Sequence, residues 1–357
     1  MEGKAPLNIY ELTRTELTEL LQEWGQPAYR AEQLWQWLYE HLAADFEEMT
    51  NLPRQLRDHL ARHATLQPLQ VLEELVSRDQ LTRKFLLQLP DGETIESVLM
   101  LYERRRTACI STQVGCPIRC DFCATGKSGF RRNLTAGEIV AQVILIARAA
   151  REFAPADARP LTNVVYMGMG EPLLNLDAVL KSLRILTDPK GFNLGDRHIT
   201  ISTAGVVPGI LRLAQEPLQV RLALSLHAPN DALRDQLVPL NRRYPLAQVR
   251  QALQTYFEHT GRRITIEYAL IKEVNDHKAQ AAELAELFAG LPIHVNLIPV
   301  NPVENSPYRP SPPARVQVFM EELERHHIPC SVRVRRGLDV QAGCGQLRSR
   351  YLAQSSS

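Results

Sequence analysis

The stretch Cys116-Pro117-Ile118-Arg119-Cys120-Asp121-Phe122-Cys123 places three cysteines in the spacing C-x3-C-x2-C. Three thiolates can ligate three irons of a four-iron, four-sulfur cluster, whereas a cluster that only transfers electrons normally has four cysteine ligands. One iron is then open to a substrate or a cofactor. A structural zinc site needs a fourth ligand, and neither common zinc partner, C-x2-C or H-x3-5-H, follows the triplet. The triplet therefore indicates a [4Fe-4S] cluster, with zinc and a distant fourth ligand as the alternative.

The composition is that of an ordinary globular protein, with 357 residues, 45% hydrophobic and 23% charged, and a formal net charge of +1. This length accommodates one large domain and a small one. The N-terminal stretch lacks the apolar core of a signal peptide, and no apolar run approaches the roughly 18 residues of a membrane span. We therefore expect a cytoplasmic protein whose six cysteines serve metal binding, catalysis or, for Cys330, simple packing. The near-zero charge leaves a nucleic-acid partner undecided.

The pattern of apolar residues divides the chain into segments. Residues 1–68 have the spacing and capping signals of a small helical domain, such as the T-x-x-E capping box of Thr13 and Glu16. Residues 69–106 change to strand patterns around an Asp91-Gly92 turn and predict a β extension. Residues 107–350 predict the main domain, and we expect residues 351–357 to be a disordered tail.

Six predicted strands in the main domain alternate with amphipathic helices, which is typical of a parallel sheet. The strands are 108–114, 163–168, 198–203, 220–227, 263–271 and 293–300, and the helices include 136–150, 177–187, 246–259, 278–289 and 313–327. Periodicity alone leaves a doubly wound sheet and a barrel open. The candidates Cys116, Gly170, Glu171, Ser202, His227 and Asn301 fall at or after the ends of different strands, and such loops converge on one face of a βα barrel. We therefore expect an α/β fold, an incomplete (βα)6 TIM-like barrel.

Polar motifs follow several of these strands. In Met167-Gly-Met-Gly-Glu-Pro172, glycine permits close approach of a ligand to the backbone and glutamate can accept a hydrogen bond from a cationic amine. Ser202, Ser225-Leu226-His227 and Asn301 suit the ribose and carboxylate of a nucleoside cofactor, although each alone also fits a polar strand end that caps a helix. Cys344 lies between glycines after an arginine-rich stretch, which favours an exposed thiolate or, alternatively, an incidental loop cysteine.

In combination these motifs resemble a known family. The segment Cys120-Asp-Phe-Cys123 is similar to that of radical S-adenosylmethionine (SAM) enzymes, in which the reduced cluster cleaves SAM to methionine and a 5′-deoxyadenosyl radical. Residues from about 9 to 350 resemble the RlmN family of that superfamily, which methylates carbon 2 of adenine in 23S rRNA and tRNA. The contiguous matches are 109–116, the cysteine triplet, 167–175, 225–231 and 343–347.

The resemblance implies a role for each candidate. Cys344 would take a methyl group from one SAM, and the radical from a second SAM would remove hydrogen from it so that the methylene radical adds to carbon 2. Glu96 would then remove the carbon 2 proton, and Cys109 would attack the Cys344 sulfur to release the base. From position alone, Glu96 would be a solvent-facing strand glutamate and Cys109 a buried core thiol. The cluster ligands would be Cys116, Cys120 and Cys123, and the SAM contacts would be Gly170, Glu171, Ser202, Ser225, Leu226, His227 and Asn301.

The resemblance also implies partners, namely 23S rRNA at the peptidyl transferase centre, tRNA at adenine 37, and an electron donor such as flavodoxin or ferredoxin. It implies a monomer without membrane contact, with an RNA-binding N-terminal domain. The basic residues expected to border the cluster and contact phosphates are Arg104, Arg105, Arg106, Lys127, Arg131, Arg132, Arg333, Arg335 and Arg336. Two alternatives stay open, a Cfr-like enzyme that methylates carbon 8 and a non-catalytic iron–sulfur module.

Overall fold

The computed structural model describes residues 6–155, 158–300, 306–333 and 345–355. Four residues singled out in the sequence, Asn301, Arg335, Arg336 and Cys344, lie outside the described residues. A helix spans Gln346–Ser355, so residues 351–355, which we expected to belong to a disordered tail, are helical.

The N-terminal helices form where the sequence predicts them. The first helix begins at the predicted capping box, in which the Thr13 side chain accepts from the Glu16 N–H and the Glu16 side chain accepts from the Thr13 N–H. Trp35 is 1% exposed and lies in the core, as its helical spacing predicts. The elements are α1 (Arg14–Glu23), α2 (Tyr29–Gln36), α3 (Arg54–His63) and a parallel strand pair, β1 (Leu7–Asn8) and β2 (Ala64–Thr65).

The β extension leads directly into the main domain. Its strands pair antiparallel with their neighbours, in the order β3 (Gln70–Val76), β4 (Thr82–Gln88), β5 (Thr94–Leu101) and β6 (Arg106–Cys109). The sequence predicts one strand over 108–114, but β6 ends at Cys109, and β7 (Gln113–Gly115) pairs with β8 (Phe130–Asn133) in a separate hairpin. The chain can leave the main sheet here because the polar groups of Ser111 have other hydrogen-bond partners. Its N–H donates to the Gln142 side chain, and its hydroxyl donates to the Glu96 backbone carbonyl.

From β6 onward, each strand of the main sheet runs parallel to its neighbour. The strands are β9 (Asn163–Tyr166), β10 (Ile199–Thr203), β11 (Arg221–Ser225), β12 (Ile264–Leu270), β13 (Ile293–Pro299) and the short β14 (Cys330–Val332). Within the described residues the sheet has the order β14-β13-β12-β11-β10-β9-β6-β5-β4-β3. The order follows the chain, so the C-terminal ends of the parallel strands lie side by side, as a partial βα barrel requires.

The helices of the main domain cover the parallel strands. They are α4 (Ala124–Lys127), α5 (Ala136–Ala150), α6 (Leu176–Leu186), α7 (Val207–Gln215), α8 (Asp231–Leu237), α9 (Leu246–Thr260), α10 (Lys278–Leu287), α11 (Pro313–Arg325) and α12 (Gln346–Ser355). Strand residues such as Ile201, Leu222 and Ile266 are fully buried in one continuous core that also includes the N-terminal helices. Among the described residues no helix is long and apolar enough to cross a membrane.

Candidate active site

A cavity of about 210 Å³ opens at the C-terminal ends of the parallel strands. The candidates that line it are Cys116, Cys120, Cys123, Gly170, Glu171, Ser202, Ser225 and His227. Strand order explains most of this convergence, because β9, β10 and β11 are adjacent and each contributes at its C-terminal end. Cys116 differs from the expectation, since it reaches the cavity from the separate β7–β8 hairpin. Leu226 is fully buried and is not among the residues that line the cavity; its N–H donates to the Glu267 carbonyl oxygen.

The three cysteine thiols lie close enough to influence one another's ionisation. Burial raises the pKa of Cys116 to about 12, and burial followed by the nearby Cys123 and Cys116 raises the pKa of Cys120. Buried thiols that disfavour one another's ionisation require positive charge to become thiolates, and the irons of a cluster supply that charge. The donor set and its surroundings therefore fit an iron–sulfur cluster.

The turn after β9 brings backbone and a carboxyl group to the cavity. Gly170 has a φ of +107°, and a Cβ there would lie 2.8 Å from Thr112 Oγ1, so this turn requires glycine. Glu171 Oε2 accepts from the Ala204 N–H at 2.7 Å, and Oε1 accepts from the Leu173 N–H at 3.1 Å. Burial raises the pKa of Glu171 to about 7. A bound ammonium group would favour the ionised carboxylate, so this site suits a cationic amine.

Hydroxyl and imidazole groups stand beside this turn. Ser202 Oγ and Ser225 Oγ lie 3.1 Å apart at the ends of neighbouring strands. His227 Nδ1 accepts from the Ala269 N–H at 2.9 Å, and burial lowers the pKa of His227 to about 3. The imidazole is therefore neutral with its proton on Nε2, and it can donate one hydrogen bond. The Phe122 ring packs edge-on against it, with ring centroids 4.7 Å apart.

Arg234 on α8 joins two of the cavity loops, and no signal in the sequence distinguishes it from a surface arginine. Its side chain is fully buried. Nη2 donates to the Ala204 carbonyl at 2.6 Å, and Nε donates to the Leu226 carbonyl at 3.1 Å. Burial lowers the pKa of Arg234 to about 10, so the guanidinium stays charged at neutral pH. It connects the loop after β10 to the loop after β11.

We expect Arg234→Met to lower the free energy of unfolding by about 2–4 kcal/mol, because buried carbonyl oxygens lose their donor. The variant should also bind SAM more weakly, since the loops that carry Ser202 and His227 are no longer joined. Denaturant unfolding and equilibrium dialysis measure the two effects. Arg221→Met, at an exposed position of β11, is the matched control. Equal stability of the two variants would contradict the role of Arg234.

Glu96 is buried, so the expectation of a solvent-facing strand glutamate is wrong. Its side chain is 2% exposed, and Oε2 lies 3.0 Å from the fully buried Lys84 ammonium on β4. Oε2 also accepts from the Gly345 N–H at 2.7 Å, and Oε1 accepts from the Arg348 N–H at 2.7 Å. Glu96 therefore caps the N-terminus of α12, where unpaired N–H groups favour a negative charge.

The beginning of α12 packs against residues 116–125, which carry the three cysteines and are called the cysteine loop below. Gly345 has a φ of +80°, and a Cβ there would lie 2.6 Å from the Thr125 backbone N, so only glycine fits this approach. Thr125 is two residues beyond Cys123. On the other side, the Arg348 side chain pairs with Glu93 at 2.9 Å. The residue directly after Cys344 thus lies between Glu96 and the cysteine loop.

Cys109 lies on the strand next to Glu96. It is 7% exposed, at the end of β6, and it is opposite Val98 of β5. Glu96 and Val98 are two residues apart and so lie on the same face of β5. Glu96 on β5, Cys109 on the adjacent β6 and the start of α12 therefore lie in one buried region.

The basic residues expected to contact RNA fall into two groups. Arg132 pairs with Asp91 and Glu138, at 2.6 and 2.8 Å, and the Arg106 side chain donates to backbone carbonyls, so both have structural partners. Lys127 and Arg131 are exposed and flank Phe130 in the sequence, Arg131 Nε lies 3.9 Å from Glu93 Oε1, and Phe130 is itself 43% exposed. An exposed aromatic ring between two cations suits a nucleic-acid surface. Arg104 and Arg105 are also exposed, and Arg333 lines the cavity.

Two family models match the chain. The model of the Radical SAM superfamily matches residues 110–285. The model of the ribosomal RNA large subunit methyltransferase N-terminal domain matches residues 7–66. The two matches cover the N-terminal helices and the part of the main domain that ends within α10.

Full-length relatives show the same similarity. The probable dual-specificity RNA methyltransferase RlmN of Chloroflexus aurantiacus is 48% identical in an alignment of 352 positions that covers 96% of this chain and 93% of that protein. The protein of the same name from Symbiobacterium thermophilum is 49% identical and covers 98% of this chain and 92% of its own length. The crystal structure of a radical SAM methyltransferase from Sphaerobacter thermophilus is 51% identical, with a TM-score of 0.92, and covers 96% of this chain and 99% of that one.

Proposed function

We propose that this chain, which belongs to the RlmN family of radical SAM RNA methyltransferases, transfers a methyl group to carbon 2 of adenine in 23S rRNA and in tRNA. Membership of the superfamily implies a 4Fe-4S cluster and SAM. The observation that carries the proposal is the docking of Gly345, next to Cys344, between Glu96 and the cysteine loop. A cysteine that carries a methyl group must lie beside the site where SAM is cleaved, and this contact supports that arrangement.

Cys116, Cys120 and Cys123 would hold the cluster in this proposal. Their shared cavity and their mutual effect on ionisation support one group bound by all three. Among residues 6–155, 158–300, 306–333 and 345–355, no three His, Cys, Asp or Glu side chains are placed to hold a single metal ion. Three thiolates without a fourth ligand suit a cube, because a cube binds each thiolate at a separate iron.

SAM would lie against the loops that follow β9, β10 and β11. Glu171 would accept from its amino group, and Ser202, Ser225 and the neutral His227 would bind other polar groups. Gly170 would contact SAM closely, and Leu226 and Asn301 stay in the set from the family pattern. When bound, the cluster supplies one electron that cleaves SAM.

Cys344, Glu96 and Cys109 would complete the reaction. The Cys344 thiolate would accept the methyl group first, since a thiolate is a good nucleophile for methyl transfer. Glu96 would then remove the proton from carbon 2 once Cys344 is linked to the base through its methylene. Cys109 would attack the Cys344 sulfur, which releases the methylated adenine and leaves a disulfide between the two cysteines. The burial of Glu96 and Cys109 on adjacent strands supports this division of roles.

The same proposal includes the partners of the enzyme. RNA would contact the exposed surface of Lys127, Phe130 and Arg131 near the cysteine loop, and the N-terminal helices would bind RNA as well. A protein electron donor such as flavodoxin or ferredoxin would reduce the cluster. We propose that the enzyme acts as a monomer in the cytoplasm, where rRNA and tRNA are found.

Anaerobic reconstitution tests the proposed function. The protein is loaded with iron and sulfide, reduced, and incubated with methyl-labelled SAM and either 23S rRNA or tRNA, and the digested RNA is analysed by nucleoside mass spectrometry. We expect labelled 2-methyladenosine. Labelled 8-methyladenosine would show a Cfr-like enzyme, and a loaded protein that does not cleave SAM would be a non-catalytic iron–sulfur module.

We expect Glu96→Gln to stall turnover at the covalent protein–RNA adduct, while Cys344 methylation and SAM cleavage continue. The amide retains the shape but cannot take a proton. Denaturing gels show the adduct. Lys84→Met is the informative companion variant, because it removes the buried cation but keeps the carboxylate. If Glu96 only holds α12 in place, both variants will lose stability by about 3–5 kcal/mol and neither will accumulate the adduct.

A further inference from the structure

The cavity has a second side, formed by strands that carry none of the residues assigned to SAM within the described chain. Glu267 on β12, Ile298 on β13 and Arg333 after β14 line it. These strands lie next to β11 on the side away from β9 and β10. No motif in the sequence singles out Glu267, although a charged residue inside the apolar stretch Ile-Thr-Ile-Glu-Tyr-Ala-Leu is unusual for a buried strand.

Glu267 is a buried carboxyl group with one oxygen available. The residue is 6% exposed, and Oε2 accepts from Asn296 Nδ2 at 2.9 Å. Oε1 has no hydrogen-bond partner among the residues that the structure describes. Oε1 is not one of the fully buried polar atoms without a partner, so it is accessible from the cavity that Glu267 lines, and a ligand in this cavity can donate a hydrogen bond to it.

The surroundings of Glu267 place that ligand on the side of Cys109. Arg333 lies near enough to Glu267 to oppose the rise in its pKa that burial causes. Arg333 Nη2 also lies 3.8 Å from Met100 Sδ, and Met100 packs with Val98 and Cys109. Arg333 therefore connects Glu267 to the face of β5 that carries Glu96. A base that reacts with a thiol on that side would extend toward Glu267.

We propose that Glu267 binds the target adenine of the RNA, with its carboxylate accepting a hydrogen bond from the exocyclic amine. The assignment rests on the proposed function. Enzymes that modify a base draw it into a pocket and identify it by hydrogen bonds to its edge. Adenine presents an N–H donor at that edge, which matches the open oxygen of Glu267, and Asn296 holds the carboxylate in place.

SAM also contains an adenine with the same amine, so the experiment separates the two sources. Methylation is measured with an RNA that carries adenine at the target position and with one that carries purine there, which retains carbon 2 but lacks the amine. We expect the wild-type enzyme to prefer adenine by roughly 10- to 100-fold in kcat/KM, as is usual when a hydrogen bond to a charged group is lost. Glu267→Ala should methylate both RNAs at similar, low rates. The adenine-to-purine ratio of kcat/KM is then compared between the wild type and Glu267→Ala, because the intrinsic difference in reactivity between the two bases enters both ratios equally and cancels.

Several readouts keep the result interpretable. SAM binding and reductive SAM cleavage without RNA should be unchanged in Glu267→Ala and Glu267→Gln, and loss of either would assign Glu267 to the SAM adenine instead. Equal use of adenine and purine by the wild-type enzyme would overturn the proposal.

Glu267→Gln keeps the shape of the side chain if the alanine variant does not fold, and it should also lose most of the preference for adenine. Glu258→Gln, at an exposed position of α9, is the matched control and should retain it. Failure of the wild-type enzyme to methylate adenine RNA at all would instead reject the proposed function.

Discussion

Cys120→Ala is expected to abolish both SAM cleavage and RNA methylation, together with the visible absorption of the reconstituted cluster. The same result is expected for Cys116→Ala and Cys123→Ala. Two thiolates cannot hold a cube that leaves one iron open for SAM, and burial raises the pKa of the remaining Cys116 thiol, which disfavours its ionisation without the metal. Absorption and electron paramagnetic resonance spectra measure the cluster, and release of 5′-deoxyadenosine measures SAM cleavage.

Cys330→Ala is the control for these variants, because Cys330 lies on β14 and does not line the cavity. It should retain the cluster and the activity. A redox-active four-iron cluster in all three cavity variants would reject the assignment of its ligands. Retention of one bound zinc instead of iron by the wild-type protein would support the alternative metal.

The two remaining candidate cysteines should show opposite defects. Cys344→Ala is expected to lose RNA methylation completely while some SAM cleavage persists, because there is no methyl acceptor on the protein. Cys109→Ala should accumulate a covalent protein–RNA adduct, because no thiol attacks the Cys344 sulfur to release the base. Mass spectrometry of the intact protein detects methylated Cys344, and denaturing gels with labelled RNA detect the adduct.

The double variant Cys109→Ala/Cys344→Ala links the two results. It should form no adduct, since the adduct of the single variant depends on Cys344. Free methylated RNA at normal yield from Cys109→Ala would contradict the resolving role. An adduct in the double variant would show that another residue carries the methylene group.

The sequence by itself determines those features that depend on nearby residues. The cysteine spacing specifies the cluster motif, and the capping box of Thr13 and Glu16 starts α1 where it was predicted. The helix over 136–150 forms with the predicted bounds. Local hydrogen bonds and apolar periodicity act within a few residues, so they can be recognised from the chain alone. Family motifs extend this recognition to the loops that follow β9, β10 and β11, which share one cavity.

Only the tertiary structure decides features that join distant parts of the chain. Glu96 bonds to Gly345 and Arg348, about 250 positions away, and neither its burial nor its pairing with Lys84 follows from the alternation of β5. No motif in the sequence indicates a role for Arg234 or Glu267. The structure shows that Arg234 donates to carbonyl groups of two loops and that Glu267 lines the cavity. The physical reason is that burial of a charge is tolerated only where partners from other segments meet it, and those partners are defined by packing rather than by sequence distance.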